Sequence, residues 1–293
     1  MSDVITIDGL ISALDSVNYI CDENLAAALF VSLSLGRPLL VEGAAGVGKT
    51  EVAKAMAMVL DRELVRLQCH AGMDETRSLY EWNYQKQLLS LQAHASTGDR
   101  DTEAMVHSIF SEEYLLERPL LRSIRSERPV VLLVDELDKT DEEFEAFLLE
   151  LLAEFQVTIP ELGTVAARTR PFVVLTSNNT RPLSDALRRR CVYAYLEFPS
   201  LEKELRIIRA RHPNAEENLS RQVAEAVQYL RTNPRIIKKP SVAETLDWLA
   251  ALESFGAKRL DGEMAHATLG TLLKSRADVE VARTDENFPP RES

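Results

Sequence analysis

The chain has 293 residues and an apolar content of 45%, which suits a packed globular protein with one large and one small domain. Its formal net charge of −12 disfavours a nucleic-acid partner, because nucleic acids are held largely by Lys and Arg side chains that neutralise phosphates. The three cysteines, Cys21, Cys69 and Cys191, lie far apart, which argues against a structural zinc site and suits a reducing compartment.

Two classes of targeting segment are not predicted. The first 15 residues carry acidic side chains and no basic cluster before an apolar run, so we expect no secretory signal. The longest apolar stretches, such as residues 129–134, are far shorter than the roughly 20 residues that a membrane-spanning helix needs. We therefore expect a cytoplasmic protein with no membrane span and no nucleic-acid partner, although a basic channel formed only on assembly would escape the charge argument.

The first 199 residues alternate between short apolar runs and helical stretches. Buried strands are predicted at residues 38–41, 64–69, 130–135, 172–176 and 193–198. Helices are predicted at residues 24–35, 51–60, 80–92 and 141–154. Strands that alternate with helices indicate an α/β domain over residues 1–199, with a parallel five-stranded sheet covered on both faces.

The pattern changes after Pro199. Amphipathic helices are predicted at residues 201–211, 219–231, 242–254 and 263–274, with no strand among them. Residues 200–275 are therefore expected to form a small all-α domain. Residues 276–293 are polar and contain Pro289-Pro290, which predicts a flexible tail.

The sequence GAAGVGKT fits the phosphate-binding pattern G-x-x-x-x-G-K-[ST] without a gap. Glycines let backbone N–H groups turn towards phosphate oxygens, the lysine carries its charge to the β- and γ-phosphates, and the threonine hydroxyl is a Mg²⁺ ligand. A predicted strand before the motif and a helix after it favour this function over a simple glycine turn. The predicted nucleotide-binding residues are Gly43, Ala44, Ala45, Gly46, Val47, Gly48, Lys49, Thr50 and Glu51.

An acidic pair, Asp135-Glu136, follows the apolar run of residues 130–134. Ligands bind at the carboxyl ends of strands in open α/β sheets. We expect Asp135 to hold Mg²⁺, as Thr50 does, and Glu136 to be the general base that activates the attacking water. A single acid after a strand often only caps the next helix, so the assignment depends on the phosphate loop upstream.

A further polar group, Ser177-Asn178-Asn179, follows the predicted strand at residues 172–176. An amide at the end of a central strand can hold the hydrolytic water beside the γ-phosphate. Alone, an asparagine in this position is more often a turn residue.

At this point four segments together resemble MoxR-type AAA+ ATPases, in the branch associated with carbon monoxide dehydrogenase maturation. The segments are LLVEGAAGVGKTEVAKAMA, VVLLVDELDKTDEEFEAFLLELLAEFQVTIPELGTV, FVVLTSNNTRPLSDALRRRC and KKPSVAETLDWLAAL. The resemblance covers roughly residues 17–255 and implies an AAA+ P-loop NTPase fold with a small helical lid. FQVTIPE is similar to the first part of the β-hairpin that precedes sensor 1 in that clade.

The resemblance also implies roles for individual residues. Asn178 corresponds to sensor 1, and Arg190, or less directly Arg189, to an arginine finger that reaches the ATP of a neighbouring subunit. A planar guanidinium matches the charge that spreads over the γ-phosphate oxygens. The alternative is that residues 188–190 form a solvated helix C-terminus. Residues 239–243 lack the sensor-2 arginine that MoxR-like chains usually carry.

The function implied by the resemblance is that of a catalytic chaperone. Such proteins are Mg²⁺-dependent ATPases that form ring hexamers and act with a partner bearing a von Willebrand factor A domain on a client that is often a metalloenzyme. Two alternatives stay open, namely an NTP-driven motor subunit of a restriction-type system and a non-catalytic assembly protein. The sequence leaves the role of residues 71–92 open, and the preference for ATP over GTP rests on the resemblance alone.

Overall fold

The computed structural model describes residues 6–97, 109–160 and 162–290 of the chain. These residues form two compact units. One consists of residues 27–42 and 52–194, and the other of residues up to 26, 43–51 and from 195 onwards. The division at 194/195 is close to the boundary predicted at 199/200, whereas the sequence did not predict that residues 43–51 belong to the second unit.

A five-stranded sheet forms the centre of the first unit. Its strands are β1 (Leu39–Gly43), β2 (Leu64–Gln68), β5 (Val131–Asp135), β8 (Phe172–Ser177) and β9 (Val192–Leu196), in the order β2-β5-β8-β1-β9. The pairs β2–β5, β5–β8 and β8–β1 are parallel. Every residue of β1, β5 and β8 is buried, as expected for strands covered on both faces. The prediction of a parallel five-stranded AAA+ sheet is confirmed.

Helices and two small antiparallel pairs surround this sheet. The helices of this part of the chain are α2 (Glu23–Leu35), α3 (Lys49–Val59), α4 (Glu75–Leu79), α5 (Tyr84–Thr97), α6 (Pro119–Arg125), α7 (Glu142–Glu154) and α8 (Asp185–Arg190). The small pairs are β3 (Tyr80–Trp82) with β4 (Leu115–Glu117) and β6 (Gln156–Ile159) with β7 (Gly163–Ala166). Single-turn 3-10 helices lie at Glu112–Tyr114 and Leu137–Lys139. The β6–β7 pair confirms the predicted hairpin at FQVTIPE.

The second unit is helical outside the phosphate loop and the end of β9. It contains α1 (Ile7–Ser16), α9 (Leu201–Arg211), α10 (Glu217–Thr232), α11 (Val242–Ser254), α12 (Gly262–Leu272) and α13 (Arg276–Arg283). Its apolar core is centred on Trp248, which is fully buried and donates a hydrogen bond from Nε1 to Thr268. Glu204 and Arg231 form a buried ion pair across α9 and α10, with 2.6 Å between Oε2 and Nη1. The four helices predicted after Pro199 are confirmed.

Two predictions about local structure are wrong. The helix predicted over residues 80–92 starts only at Tyr84, because Tyr80–Trp82 pairs as β3 with a strand about 35 residues later in the chain. The flexible tail predicted from residue 276 instead begins as α13, and Phe288 packs into the helical core with 4% of its surface exposed. In both cases the burial of apolar side chains against distant residues outweighs the local polar pattern.

Candidate functional site

The loop between β1 and α3 keeps the ammonium group of Lys49 inside it. Lys49 is 6% exposed, and its Nζ donates hydrogen bonds to the carbonyl oxygens of Gly43, at 2.8 Å, and Ala44, at 2.7 Å. Because α3 begins at Lys49, the positive end of the helix dipole lies at the same loop. A buried ammonium at a helix N-terminus is the arrangement that binds phosphate.

Gly46 of this loop lies against the start of α11. The N–H of Val242 donates to the carbonyl oxygen of Gly46 at 3.3 Å. Gly46 has a φ of +77°, and a Cβ added there would lie 2.2 Å from the Cβ of Ser241. Both the backbone conformation and the close approach therefore require glycine at this position. The sequence predicted Gly46 as a phosphate-loop residue but gave no signal of its contact with Ser241.

The segment that lacks a sensor-2 arginine forms the beginning of α11. Ser241 caps this helix in a capping box with Glu244. Lys238 and Lys239 line a cleft of about 320 Å³ together with residues 44–46 of the phosphate loop. Arg235, in contrast, pairs with Asp285 at 3.4 Å, so its guanidinium has an acidic partner within the helical unit.

A cleft of about 310 Å³ opens beside the phosphate loop and was not predicted from the sequence. Its volume lies at the lower end of the range for ligand pockets, which is roughly 300–1,000 Å³. Apolar side chains form most of its wall, among them Ile20, Val47, Leu196, Ile207 and Leu246. The cleft also takes in residues of five separate stretches of the chain, which is why no local motif indicated it.

Two ion pairs and a half-buried phenol add polar groups to this cleft. Lys203 pairs with Asp22 at 2.8 Å, and Arg211 pairs with Glu51 at 3.1 Å. Glu51, one of the predicted nucleotide-binding residues, is therefore held by Arg211. Burial raises the pKa of Tyr19 well above its ordinary value, so its hydroxyl stays neutral and can donate or accept a hydrogen bond.

The carboxylate of Asp135 lies at the end of β5 and is almost fully buried. Its Oδ1 accepts a hydrogen bond of 2.5 Å from the hydroxyl of Thr176, and its Oδ2 lies 2.6 Å from Nη2 of Arg66. Thr176 also accepts a hydrogen bond from the backbone N–H of Glu136 at 2.9 Å. Thr176 therefore connects the end of β8 to both acidic residues. This residue could have been found from the sequence, because it lies directly before the Ser-Asn-Asn motif.

The side chain of Glu136 is partly exposed and has two partners. Its Oε2 accepts a hydrogen bond from Nε2 of Gln68 at 2.9 Å and pairs with Nζ of Lys139 at 2.5 Å. Contact with Glu136 raises the pKa of Lys139. The backbone of Glu136 is left-handed, with a φ of +59°, which is an uncommon conformation for a residue other than glycine. Such strain often occurs at functional sites, because the surrounding structure must maintain it.

Asn178 lies at the end of β8, as predicted, and a buried aspartate fixes its backbone. Asp138 accepts hydrogen bonds from the N–H groups of Asn178, at 3.1 Å, and Thr180, at 2.9 Å. Burial alone would raise the pKa of Asp138, but the hydrogen bonds from Thr180 and Asn178 hold it below its ordinary value. Asp138 is therefore a charged residue that fixes the loop carrying Asn178, and no motif of the sequence indicated this role.

The three consecutive arginines of α8 have different environments. Arg188 is partly buried, and its Nη2 lies 2.7 Å from Oε1 of Glu42, at the end of β1. Arg189 and Arg190 are exposed, and neither guanidinium has a hydrogen-bond or ion-pair partner among the residues described. The structure thus separates Arg188, which has an acidic partner, from the two arginines predicted to act in trans.

The residues present fit a Mg²⁺-bound nucleotide. Each unit carries an oxygen donor of the kind that Mg²⁺ prefers, namely the Thr50 hydroxyl in one and the Asp135 carboxylate in the other. Lys49 supplies a buried positive charge, and at Gly48 no atom of the described residues lies within 4 Å of the place that a Cβ would occupy, so the loop is open there. In addition, no helix in the described ranges is long and apolar enough to cross a membrane.

Comparisons with known proteins agree with this architecture. The AAA domain family of the dynein-related subfamily matches residues 38–191, which is more than half of the chain. No curated protein matches the chain.

Solved structures of RuvB from Thermotoga maritima are similar in fold. For one RuvB variant the TM-score is 0.50 at 18% identity, with 89% of this chain and 70% of that chain covered. For the structure described as the RuvB Holliday junction branch migration motor the TM-score is 0.46 at 19% identity, with 94% of this chain and 72% of that chain covered. AAA domains generally bind ATP together with Mg²⁺ and typically oligomerise. The chain belongs to the AAA domain family, dynein-related subfamily.

Proposed function

We propose that this chain is a Mg²⁺-dependent ATPase of the MoxR type, which remodels or activates a client protein as a ring-shaped hexamer. One observation carries the ATPase part of the proposal. Strands β1, β5 and β8 run parallel and therefore end at the same edge of the sheet, where they bear Glu42, Asp135 and Ser177. The phosphate loop continues directly from β1, and Asn178 continues from β8.

Each residue then has a specific task. Lys49 and the N–H groups of its loop bind the phosphates, and the cleft lined by Ile20, Val47 and Ile207 supplies an apolar surface for the flat face of a base. Thr50 and Asp135 would hold Mg²⁺, which when bound neutralises charge on the phosphate oxygens. Glu136 takes the proton of the attacking water, and Asn178 orients that water.

The partners of Glu136 support its function as the base. A carboxylate is an effective general base when it is ionised and correctly placed. The ammonium of Lys139 and the amide of Gln68 both contact Oε2 of Glu136, so they hold the carboxylate in place. Gln68 and Lys139 are therefore positioning residues, and Glu136 is the group that meets the water.

The assignment of an arginine finger that acts in trans is based on the environment of the three arginines in α8. Arg188 is engaged by Glu42, while Arg189 and Arg190 extend from the end of the same short helix without a partner in the described part of the chain. A guanidinium that is held by no group of its own subunit is available to a neighbouring subunit, and this supports Arg190 as the finger. Assembly of the chain would then complete each site.

The identities of the partner and of the client are inferred from the resemblance to MoxR-type proteins. We expect a partner with a von Willebrand factor A domain and a metalloenzyme client such as a molybdenum- and copper-containing carbon monoxide dehydrogenase. The net charge of −12 supports a protein client over a nucleic acid. The three free cysteines are consistent with a cytoplasmic location.

A nucleotide-trapped pull-down tests this function. The Glu136→Gln variant is incubated with ATP in lysate of its own source cells, captured, and analysed by mass spectrometry, with Glu136→Gln/Lys49→Ala as the control that cannot bind the phosphates. Recovery of a von Willebrand factor A protein with a metalloenzyme subunit, only in the first sample, is the expected result. Recovery of a nuclease or of DNA-bound subunits would instead contradict the chaperone function.

A further inference from the structure

Two neighbouring clefts lie at the end of the sheet where β1 and β8 begin, which is the edge opposite to that of Asp135. Their volumes are about 240 and 190 Å³, and they share the residues Gly36, Arg37, Pro38, Phe155 and Arg170. Apolar side chains, such as Leu187, form the floor of the larger cleft. The proposed ATPase assigns no role to this end of the sheet except through Arg190.

Four arginines surround these clefts. Arg37 and Arg170 line both of them, Arg190 lines the larger, and Arg62 lines the smaller. Arg37, Arg170 and Arg190 are exposed and Arg62 is half-buried. Burial lowers the pKa of Arg62, which is the direction expected for a cation removed from water without an anion beside it.

The clefts contain no acidic counterpart to these charges. None of the described residues that line them is Asp or Glu. Within the part of the chain that the structure describes, none of the four guanidinium groups has a hydrogen-bond or ion-pair partner, and Arg170 is instead held over the ring of Phe155 at 5.4 Å. Elsewhere in the same unit the chain does pair its arginines, for example Arg122 with Glu63 and Arg181 with Glu145.

This arrangement is unfavourable unless an anion joins it. Like charges that share a cleft repel one another, and this cluster of positive charge lies on a chain whose net charge is −12. We propose that the two clefts form a binding site for a small phosphate-bearing anion, with Arg37 and Arg170 as its central ligands. The guanidinium fork matches phosphate oxygens in a bidentate manner.

Charge and size favour a phosphate group over other anions. A carboxylate carries one charge and satisfies one guanidinium, whereas a phosphate group carries nearly two charges and three acceptor oxygens, so it can serve several arginines at once. Each cleft is smaller than the roughly 300 Å³ at which pockets for drug-sized ligands begin. The site therefore suits one or two linked phosphate groups, with a short apolar substituent lying over Leu187 and Phe155.

This inference does not rest on the proposed ATPase, because its central ligands, Arg37 and Arg170, have no part in that site. Inorganic pyrophosphate is titrated by calorimetry into the Lys49→Ala protein, in which the phosphate loop is weakened as a competing site in every copy of the chain. The same titration is made with Lys49→Ala/Arg37→Gln/Arg170→Gln. The matched control is Lys49→Ala/Arg221→Gln, because Arg221 is an exposed arginine of α10 that lines neither cleft.

The expected result is saturable binding of pyrophosphate that weakens at least tenfold in the Arg37/Arg170 variant and stays unchanged in the Arg221 control. Citrate, which has comparable charge on carboxylates, is expected to bind at least tenfold more weakly than pyrophosphate. Equal binding of pyrophosphate by all three proteins, absence of saturable binding, or tighter binding of citrate would each overturn the proposal.

Thermal unfolding gives a second, independent readout. Without pyrophosphate, the Tm of each protein serves as its own baseline, because the substitutions remove both the repulsion between the arginines and the contact of Arg170 with Phe155. Pyrophosphate should raise the Tm of Lys49→Ala but not that of the Arg37/Arg170 variant. A Tm that pyrophosphate raises as much in the Arg37/Arg170 variant as in Lys49→Ala would contradict the proposed site.

Discussion

Arg188 neutralises the buried carboxylate of Glu42 at the point where β1 leads into the phosphate loop. The Nη2 of Arg188 lies 2.7 Å from Oε1 of Glu42, and the hydroxyl of Tyr193 donates to Oε2 at 3.0 Å. The side chain of Glu42 is 3% exposed and that of Arg188 is 34% exposed. One of the three consecutive arginines of α8 thus links the end of β1 to the helix that carries Arg189 and Arg190.

Loss of this ion pair should destabilise the protein. Arg188→Gln leaves the buried Glu42 with only the Tyr193 hydroxyl among these partners, and we expect the free energy of unfolding to fall by about 2 kcal/mol, since a charge left buried without its counter-ion is costly. Glu42→Gln/Arg188→Gln should be less destabilised than the sum of the two single variants. Urea denaturation measures all three. Strictly additive losses would show that the two side chains do not interact.

Substitution of the proposed base should separate nucleotide binding from hydrolysis. Glu136→Gln keeps the size of the side chain but cannot accept the proton of water, so we expect phosphate release to fall at least ~100-fold while ATP affinity changes little. Glu142→Gln, at an exposed glutamate in the first turn of α7, is the matched control and should behave as wild type. Wild-type turnover in Glu136→Gln would remove Glu136 from the mechanism.

The finger in trans should show complementation between inactive subunits. Arg190→Ala keeps its own phosphate loop, and Lys49→Ala keeps its finger, so a mixed assembly contains some complete sites. We expect both homogeneous proteins to be nearly inactive and their mixture to recover part of the ATPase activity, as measured by phosphate release across mixing ratios. Arg189→Ala in the same series tests which arginine acts. If no ratio restores activity, Arg190 does not act in trans.

The contact between Gly46 and Ser241 predicts a compensating pair of substitutions. Gly46→Ala adds a Cβ at 2.2 Å from that of Ser241 and a penalty for positive φ, and we expect a loss of about 3 kcal/mol in the free energy of unfolding. Ser241→Gly should cost only a few tenths of a kcal/mol, since glycine is tolerated at a helix N-cap, and about 1 to 2 kcal/mol should return in the double variant.

Gly48→Ala is the control for backbone strain in this experiment. Gly48 also has a positive φ, +101°, but in the described part of the chain an added Cβ there would have no neighbouring atom within 4 Å. We expect Gly48→Ala to lower the free energy of unfolding by about 1 kcal/mol, and Ser241→Gly should not restore it. If Ser241→Gly does not restore any of the free energy of unfolding lost in Gly46→Ala, the loss comes from backbone strain alone and not from the contact with Ser241.

Local patterns explain why so much of the fold was predictable. The strands at residues 130–135 and 172–176 are continuous apolar runs, which only a sheet covered on both faces accommodates, and the structure has them as β5 and β8. The β6–β7 hairpin was predicted through the family resemblance. Short elements that depend on a distant partner were not predictable. Tyr80–Trp82 has helical neighbours on both sides and becomes a strand only through its pairing with Leu115–Glu117.

In the candidate site, too, local features were predictable from the sequence and contacts between distant residues were not. The sequence by itself determined the phosphate-loop residues, Asp135-Glu136 and the position of Asn178, because these groups follow directly from strands and their chemistry is local. Only the tertiary structure decided what surrounds them. Thr176 meets Asp135 across 41 positions of the chain, and Arg188 meets Glu42 across 146. Such contacts depend on strand order and side-chain packing, which the folded chain establishes and which no local spacing encodes.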